Sequence, residues 1–160
     1  MGHRRIGIIS GPVNSFNSQK RLVGIQQALF EASIPYNVGT TVIGDWTREC
    51  GYHAASQLLS QGVTAIYAFS DKMISGVYTY CIEHRISVGK DISLFGFDDS
   101  DIVHAYTPPL ASAKPDLQEM GHKAAELVLA QLQGKTVCTK CHVLPCTIHV
   151  RPSVCSIGEA

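Results

Sequence analysis

Two apolar runs, each closed by polar residues and a turn, most constrain what this chain can fold into. The first spans Thr64 to Asp71, the second Asp91 to Asp99, and Thr107-Pro108-Pro109-Leu110 follows. A short run that is apolar throughout suits a strand covered on both faces, as parallel strands flanked by helices are. In an open α/β sheet small molecules bind in the crevice outside the carboxyl ends of the strands. The polar residues that close these two runs therefore stand where ligand contacts are made.

The rest of the chain supplies the partners such strands need. Arg5 to Ser10 reads as a buried strand closed by Gly11-Pro12. Ser18 to Ala32 carries Leu22, Ile25, Leu29 and Ala32 at helical spacing, and Ile34-Pro35 stops it. Val38 to Ile43 is expected as the second strand. Thr47 is a good N-cap for a helix that buries Ala54, Ala55, Leu58 and Leu59 before Gly62 ends it. Ala65 to Phe69 is the third strand. Ile74, Val77, Tyr78, Cys81 and Ile82 mark the third helix, with Asp71 near its start, where free N–H groups favour a carboxylate. Ile92 to Phe97 is the fourth strand. Three strand-helix alternations in a row predict an α/β fold with a doubly wound parallel sheet flanked by helices. Asp98 to Pro109 reads as a loop and Ala111 to Lys114 as a weak strand. Leu117 to Gln133 is a strongly patterned helix, with Met120, Ala124, Leu127, Val128 and Leu132, ended by Gly134. Thr136 to Cys146 is irregular, and Thr147 to Val150 is a closing strand.

Composition excludes some functions. At 160 residues, 45% hydrophobic and 16% charged, the chain can bury roughly 70% of its unfolded surface. Thirteen basic and thirteen acidic residues cancel, so the balance offers no basic stripe for nucleic-acid phosphates. No run approaches the ~18 apolar residues of a membrane span, and the first residues lack the apolar core of a secretory signal. A cytoplasmic protein with reduced thiols at Cys50, Cys81, Cys138, Cys141, Cys146 and Cys155 is the expectation.

The order of these motifs resembles the lactose-repressor-type (LacI/GalR-type) transcriptional regulators. Gly2 to Pro12 looks like that family's entry into the second lobe of its effector domain, and Arg21-Leu22-Val23-Gly24 like its Arg-x-x-Gly helix start. Gly44-Asp45-Trp46, Ser70-Asp71, Gly96-Phe97-Asp98-Asp99, Pro108-Pro109-Leu110 and Arg151-Pro152-Ser153 follow at the family's spacing. The resemblance implies two α/β lobes of the periplasmic-binding-protein type, with a small effector, a sugar or nucleotide-like molecule, in the cleft between them. It also implies a homodimer that binds operator DNA through an N-terminal helix-turn-helix, which this chain lacks. On this reading residues 1–110 are the second lobe, 111–146 are crossover segment normally belonging to the absent first lobe, and 147–160 are closing strand and tail. The helix from Leu117 would then lose its usual partner, and packing in another way, on its own lobe or on a second chain, is expected. Apolar positions between Asp71 and His84 are expected to serve self-contact.

The ligand-binding residues carried over are Asp98, Arg21, Trp46, Ser70, Asp71, Asn17 and Ser15, with no cofactor. An ionised Asp98 at a strand's carboxyl end can accept two hydroxyl donors; each charge-assisted bond contributes about 1.5–3 kcal/mol. Its alternative is to cap the following turn. Arg21 offers a five-donor fork, or else a solvated helix arginine. Trp46 offers a flat face to a sugar ring, or else packs in the core. Ser70 is read as a polar cleft residue, Asp71 more as a helix cap than a contact, and Ser15 and Asn17 as variable contacts in the first loop. Two departures stand out: Ala111 to Pro115 replaces the family's Thr-Thr-x-x-Gln, and Gly89 replaces its usual proline.

Three rival readings have some basis. Cys138 and Cys141, with His142 and Cys146, could form a zinc knuckle, but a second pair at proper spacing is missing. Asp98, Asp99 and Asp101 could hold magnesium or act as acid and base, yet no phosphate-loop or nucleophile motif accompanies them. A sugar-transport receptor would share the fold but should carry a secretory leader.

Overall fold

The computed structural model describes residues 1–135 and 141–157. Its strands are β1 (Ile6–Ser10), β2 (Thr41–Ile43), β3 (Ala65–Ala68), β4 (Ser93–Phe97), β5 (Ala111–Pro115) and β6 (Cys146–His149). They form one sheet in the order β2-β1-β3-β4-β5-β6. Every pairing from β2 to β5 is parallel; β6 runs antiparallel to β5, closing the edge. The helices are α1 (Phe16–Glu31), α2 (Arg48–Ser60), α3 (Asp71–Glu83) and α4 (Leu117–Leu132).

Each helix begins where a short polar side chain satisfies a free backbone donor. Ser15, Thr47, Ser70 and Asp116 accept from the N–H groups of Ser18, Cys50, Met73 and Glu119. The chain steps outward from β1 to β2 and returns to β3, so the order of strands reverses at the β1/β3 boundary. Right-handed crossovers then place α2 and α3 together on one face and α1 on the other. The core is built from Ile8, Ile9, Ile66, Phe69, Leu94 and Leu110 of the sheet side with Leu58, Met73, Ile74 and Val77 of α2 and α3. Glycine makes the α2–α3 contact possible. A Cβ on Gly51 would run into the Met73 carbonyl, and one on Gly76 into that of Arg48.

Several expectations change. Val38–Thr40 is a 3₁₀ turn, leaving only Thr41–Ile43 as strand. Asn37 Oδ1 accepts from the Gly39 N–H, and the Thr40 and Thr41 hydroxyls donate to the Asn37 carbonyl. Local side-chain bonds of this kind outcompete an extended ladder. The expected loop from 98 to 109 contains a second 3₁₀ turn at Asp101–Ala105. Residues 111–115 belong to the same sheet as β4, with Ala111, Ser112 and Ala113 buried. In α3 eight of the thirteen residues are buried, and Ile82 is its exposed large apolar side chain. α4 does not repack. None of its residues is buried, and Leu117, Met120, Val128, Leu129 and Leu132 lie exposed.

Candidate functional site

Most of the predicted ligand residues meet outside the carboxyl ends of β1, β3 and β4, where the strand order reverses. Asn17 and Arg21 of α1, Trp46 after β2, Phe69, Ser70 and Lys72 after β3, and Asp98 after β4 line one open depression of about 390 Å³. Such a switch point is where an open α/β sheet leaves a crevice between loops that depart to opposite faces.

Arg21 is held in place. Its guanidinium donates to the Phe69 carbonyl and lies 3.5 Å from the centre of the Phe97 ring. A guanidinium stacked on an aromatic face keeps its other donors in a fixed plane. Asp98 sits on a turn in which it and Asp99 both adopt positive φ, 114° and 52°. Non-glycine residues rarely occupy that region. β5 holds the turn: the Asp98 N–H donates to the Ala113 carbonyl at 2.9 Å and the Asp99 N–H to the Ser112 hydroxyl at 3.1 Å. Burial raises the Asp98 carboxyl above the ordinary carboxylate range, while the Arg21 charge pulls it back. Trp46, at φ 70°, lays its indole on Gly11, where any Cβ would collide with the ring. One indole thus both packs and lines the cleft. The Ser70 hydroxyl caps α3 through the Met73 N–H at 3.2 Å at the cleft wall.

Two predicted contacts are spent elsewhere. Asp71 is 1% exposed. One of its oxygens accepts from the Ser112 hydroxyl at 2.6 Å, and the other from the Ser100 N–H at 2.7 Å and hydroxyl at 3.0 Å. Gly96 leaves the space that this carboxylate fills. Burial pushes the Asp71 carboxyl up, against these donors. It is a tie between the start of α3, β5 and the turn after β4. Ser15 caps α1 and does not line the depression.

Asp99 turns inward as well. Its Oδ1 lies 2.7 Å from an Arg151 guanidinium nitrogen, a close charge pair whose angle is not that of a hydrogen bond. Arg151 also donates to the Leu110 carbonyl at 2.7 Å, while Ser153 donates to the Leu94 carbonyl and accepts from the Ala111 N–H, both at 2.8 Å. The closing Arg-x-Ser motif is therefore a clamp across β4 and β5. The three aspartates at 98, 99 and 101 do not converge, and no group of three His, Cys, Asp or Glu side chains among the described residues could hold a metal ion. Cys138 lies outside the described residues; Cys141 and Cys146 are exposed.

Sequence reasoning missed Lys72, Phe69 and Phe97. Lys72 follows Ser70-Asp71 at a strand end, a signal that was available. Phe97 was readable only as core, because its support of Arg21 joins residues far apart in the chain.

Comparison with known proteins agrees with this geometry. Residues 1–154 match the family model described as a periplasmic binding protein-like domain. The chain is 34% identical over 154 residues to the HTH-type transcriptional repressor CytR of Escherichia coli (strain K12), covering 95% of this chain and 45% of that protein. Among solved structures, a complex of the transcriptional regulator CelR with cellobiose superposes with a TM-score of 0.88 at 31% identity, covering 95% of this chain and 47% of that one. The lac repressor dimer bound to operator and the anti-inducer ONPF superposes with a TM-score of 0.88 at 29% identity, over 97% and 54%. The chain thus spans about half the length of the proteins it matches. No helix among the described residues is long and apolar enough to cross a membrane. A sheet that reverses its strand order beneath an Arg–Asp–Trp cleft, and a family match over nearly every residue, agree that this chain belongs to the periplasmic-binding-protein-like domain family, in the form found in LacI/GalR-type repressors.

Proposed function

We propose that this chain is the second lobe of a small-molecule effector domain in a transcriptional regulator, and that it acts by binding rather than by catalysis. The observation that carries the reading is the convergence of Arg21, Asp98 and Trp46, from three separate segments, on one depression at the switch point. A guanidinium fork, a carboxylate and an indole face together suit a polyhydroxylated ring: hydroxyls bridge the two charges, and the ring's C–H side lies on the indole. A sugar or a nucleoside-like molecule fits that description, and the cellobiose complex of a relative supports the sugar. The intact protein would be cytoplasmic, would close the cleft with a first lobe, and would hold operator DNA as a homodimer through a separate headpiece. An effector then shifts the lobe arrangement only by the difference in its affinity for the two arrangements.

Calorimetric titration with a panel of sugars and nucleosides, against wild type and Asp98→Ala, tests the reading. Loss of one charge-assisted contact should weaken binding by about tenfold or more. Binding unchanged in the variant, or confined to ligands without hydroxyls, would overturn it. The pH dependence has a definite sign. The ionised carboxylate is the acceptor and its pKa is raised, so affinity should fall on acidification earlier than an ordinary carboxylate would cause. Asp98→Asn should flatten that profile.

A further inference from the structure

A second cavity lies at the opposite end of the sheet. Ile6 and Ile8 of β1, Leu29 near the end of α1, and Ile34 form its apolar part, while Arg4, Arg5, Tyr36, Asn37, Thr40 and Gln61 supply the polar part. Its volume is about 270 Å³, close to the lower limit of small-molecule pockets. Among the described residues both charges on its wall are positive and no carboxylate lines it, although the chain as a whole is neutral.

Arg5 is exposed and anchored at one point. It spends one N–H on the Gln61 carbonyl, leaving donors of its five-donor fork unspent on that bond. Gly62, at φ 66°, makes room for it, since a Cβ there would lie 2.6 Å from a guanidinium nitrogen. Thr40 is fixed by its bond to the Ile6 carbonyl at 3.0 Å, and Asn37 by its bond from the Gly39 N–H at 2.8 Å. Two arginines and the apolar side chains of Ile6, Ile8, Leu29 and Ile34 around one cavity match one kind of ligand: an anion on an apolar body. A planar carboxylate suits the fork geometry best.

The geometry points to a second ligand site here, for a small amphiphilic carboxylate, separate from the effector cleft. The probe is sodium hexanoate, titrated at low salt into the 160-residue protein and followed by calorimetry and amide chemical shifts, with 1-hexanol and inorganic phosphate run in parallel. Saturable binding of hexanoate is expected, with shifts centred on Leu29, Tyr36 and Thr40. It should weaken by about tenfold or more in Arg5→Gln and by less in Arg4→Gln, and stay unchanged in Asp98→Ala. Arg4 and Arg5 are both exposed, so both variants are expected to fold, and the Arg4 variant tests the site independently of the bond to Gln61. The inference is overturned if folded wild type shows no saturable binding, if shifts centre elsewhere, or if both arginine variants bind as wild type does. Equal affinity for 1-hexanol would overturn the anion requirement, and equal affinity for phosphate the apolar one.

Discussion

α3 and α4 are written in the same code and meet different fates. Each starts at a side-chain cap, repeats apolar residues at helical spacing and carries an acidic residue in its first turn. α3 buries eight residues between α2 and the sheet, whereas α4 buries none. Periodicity states that a helix has an apolar face; whether that face is covered depends on what the chain places opposite. α3 has Gly51 of α2 and Gly96 of β4 opposite it, both cleared of side chains. α4 follows β5, and the described residues place no layer over its apolar face.

The largest expected difference between the two comes from removing one apolar side chain from each. Ile74 is fully buried, so Ile74→Ala should cost about 2–5 kcal/mol through lost transfer energy and the cavity left behind. Leu129 is 56% exposed, and Leu129→Ala should fall within about 0.5 kcal/mol of wild type. Urea unfolding of both variants decides the matter. A comparable loss in Leu129→Ala would mean that α4 has a partner in solution, and the contrast between the helices would collapse.

The next prediction probes the helix–helix contact itself. Gly76→Ala drives a methyl into the Arg48 carbonyl and within 2.7 Å of the Tyr52 nitrogen, which neither backbone can easily yield. A loss of about 1–3 kcal/mol is expected. Retention of full stability would show that α2 and α3 can slide apart, and that the glycine pair is not what sets their distance.

What was legible in the sequence follows from the range of the interactions involved. The strands at Ile6, Ala65 and Ser93, and the Thr47 cap, are local patterns, and the folded chain realises them. The 3₁₀ turn at Val38–Thr40 was missed because β-branched residues suggested a strand, while Asn37, Thr40 and Thr41 carried the competing bonds. At the site, Asp98, Arg21, Trp46, Ser70 and Asn17 do converge, but the resemblance rather than periodicity singled them out. The inward turn of Asp71 and Asp99 was invisible for a plain reason. The partners of these carboxylates, Ser100, Ser112 and Arg151, are 29 to 52 residues away, and Asp99 looks, in sequence, like its cleft-facing neighbour Asp98.

Caps give a smaller effect that still separates the helices. Ser70→Ala should cost about 1 kcal/mol of global stability, since its acceptor oxygen serves a buried helix start. Asp116→Ala removes the same kind of bond from α4, with the Glu119 N–H as donor at 2.9 Å. Its effect should show as fraying of α4 in amide exchange, with the midpoint of the sheet's unfolding unmoved. A shift of that midpoint by Asp116→Ala would tie α4 to the cooperative core.

The smallest prediction is a gain, and it isolates propensity from packing. Gly121 lies inside α4, and beyond the helix's own backbone no described residue comes within 4 Å of where a Cβ would stand. Replacing it by alanine meets no neighbour and favours the helix by roughly 0.8–1.0 kcal/mol. If α4 is uncoupled from the sheet, Gly121→Ala raises the helix content and exchange protection of α4 alone, and thermal unfolding of the rest is unchanged. If the whole domain gains stability, the free energy of ordering α4 is part of the global transition. The contrast with α3 would then be one of surface burial and not of cooperativity. Each outcome is read from two observables on one variant, amide protection within 117–132 and the midpoint of the sheet. The substitution adds no contact of its own, so a response in the sheet can reach it only through α4.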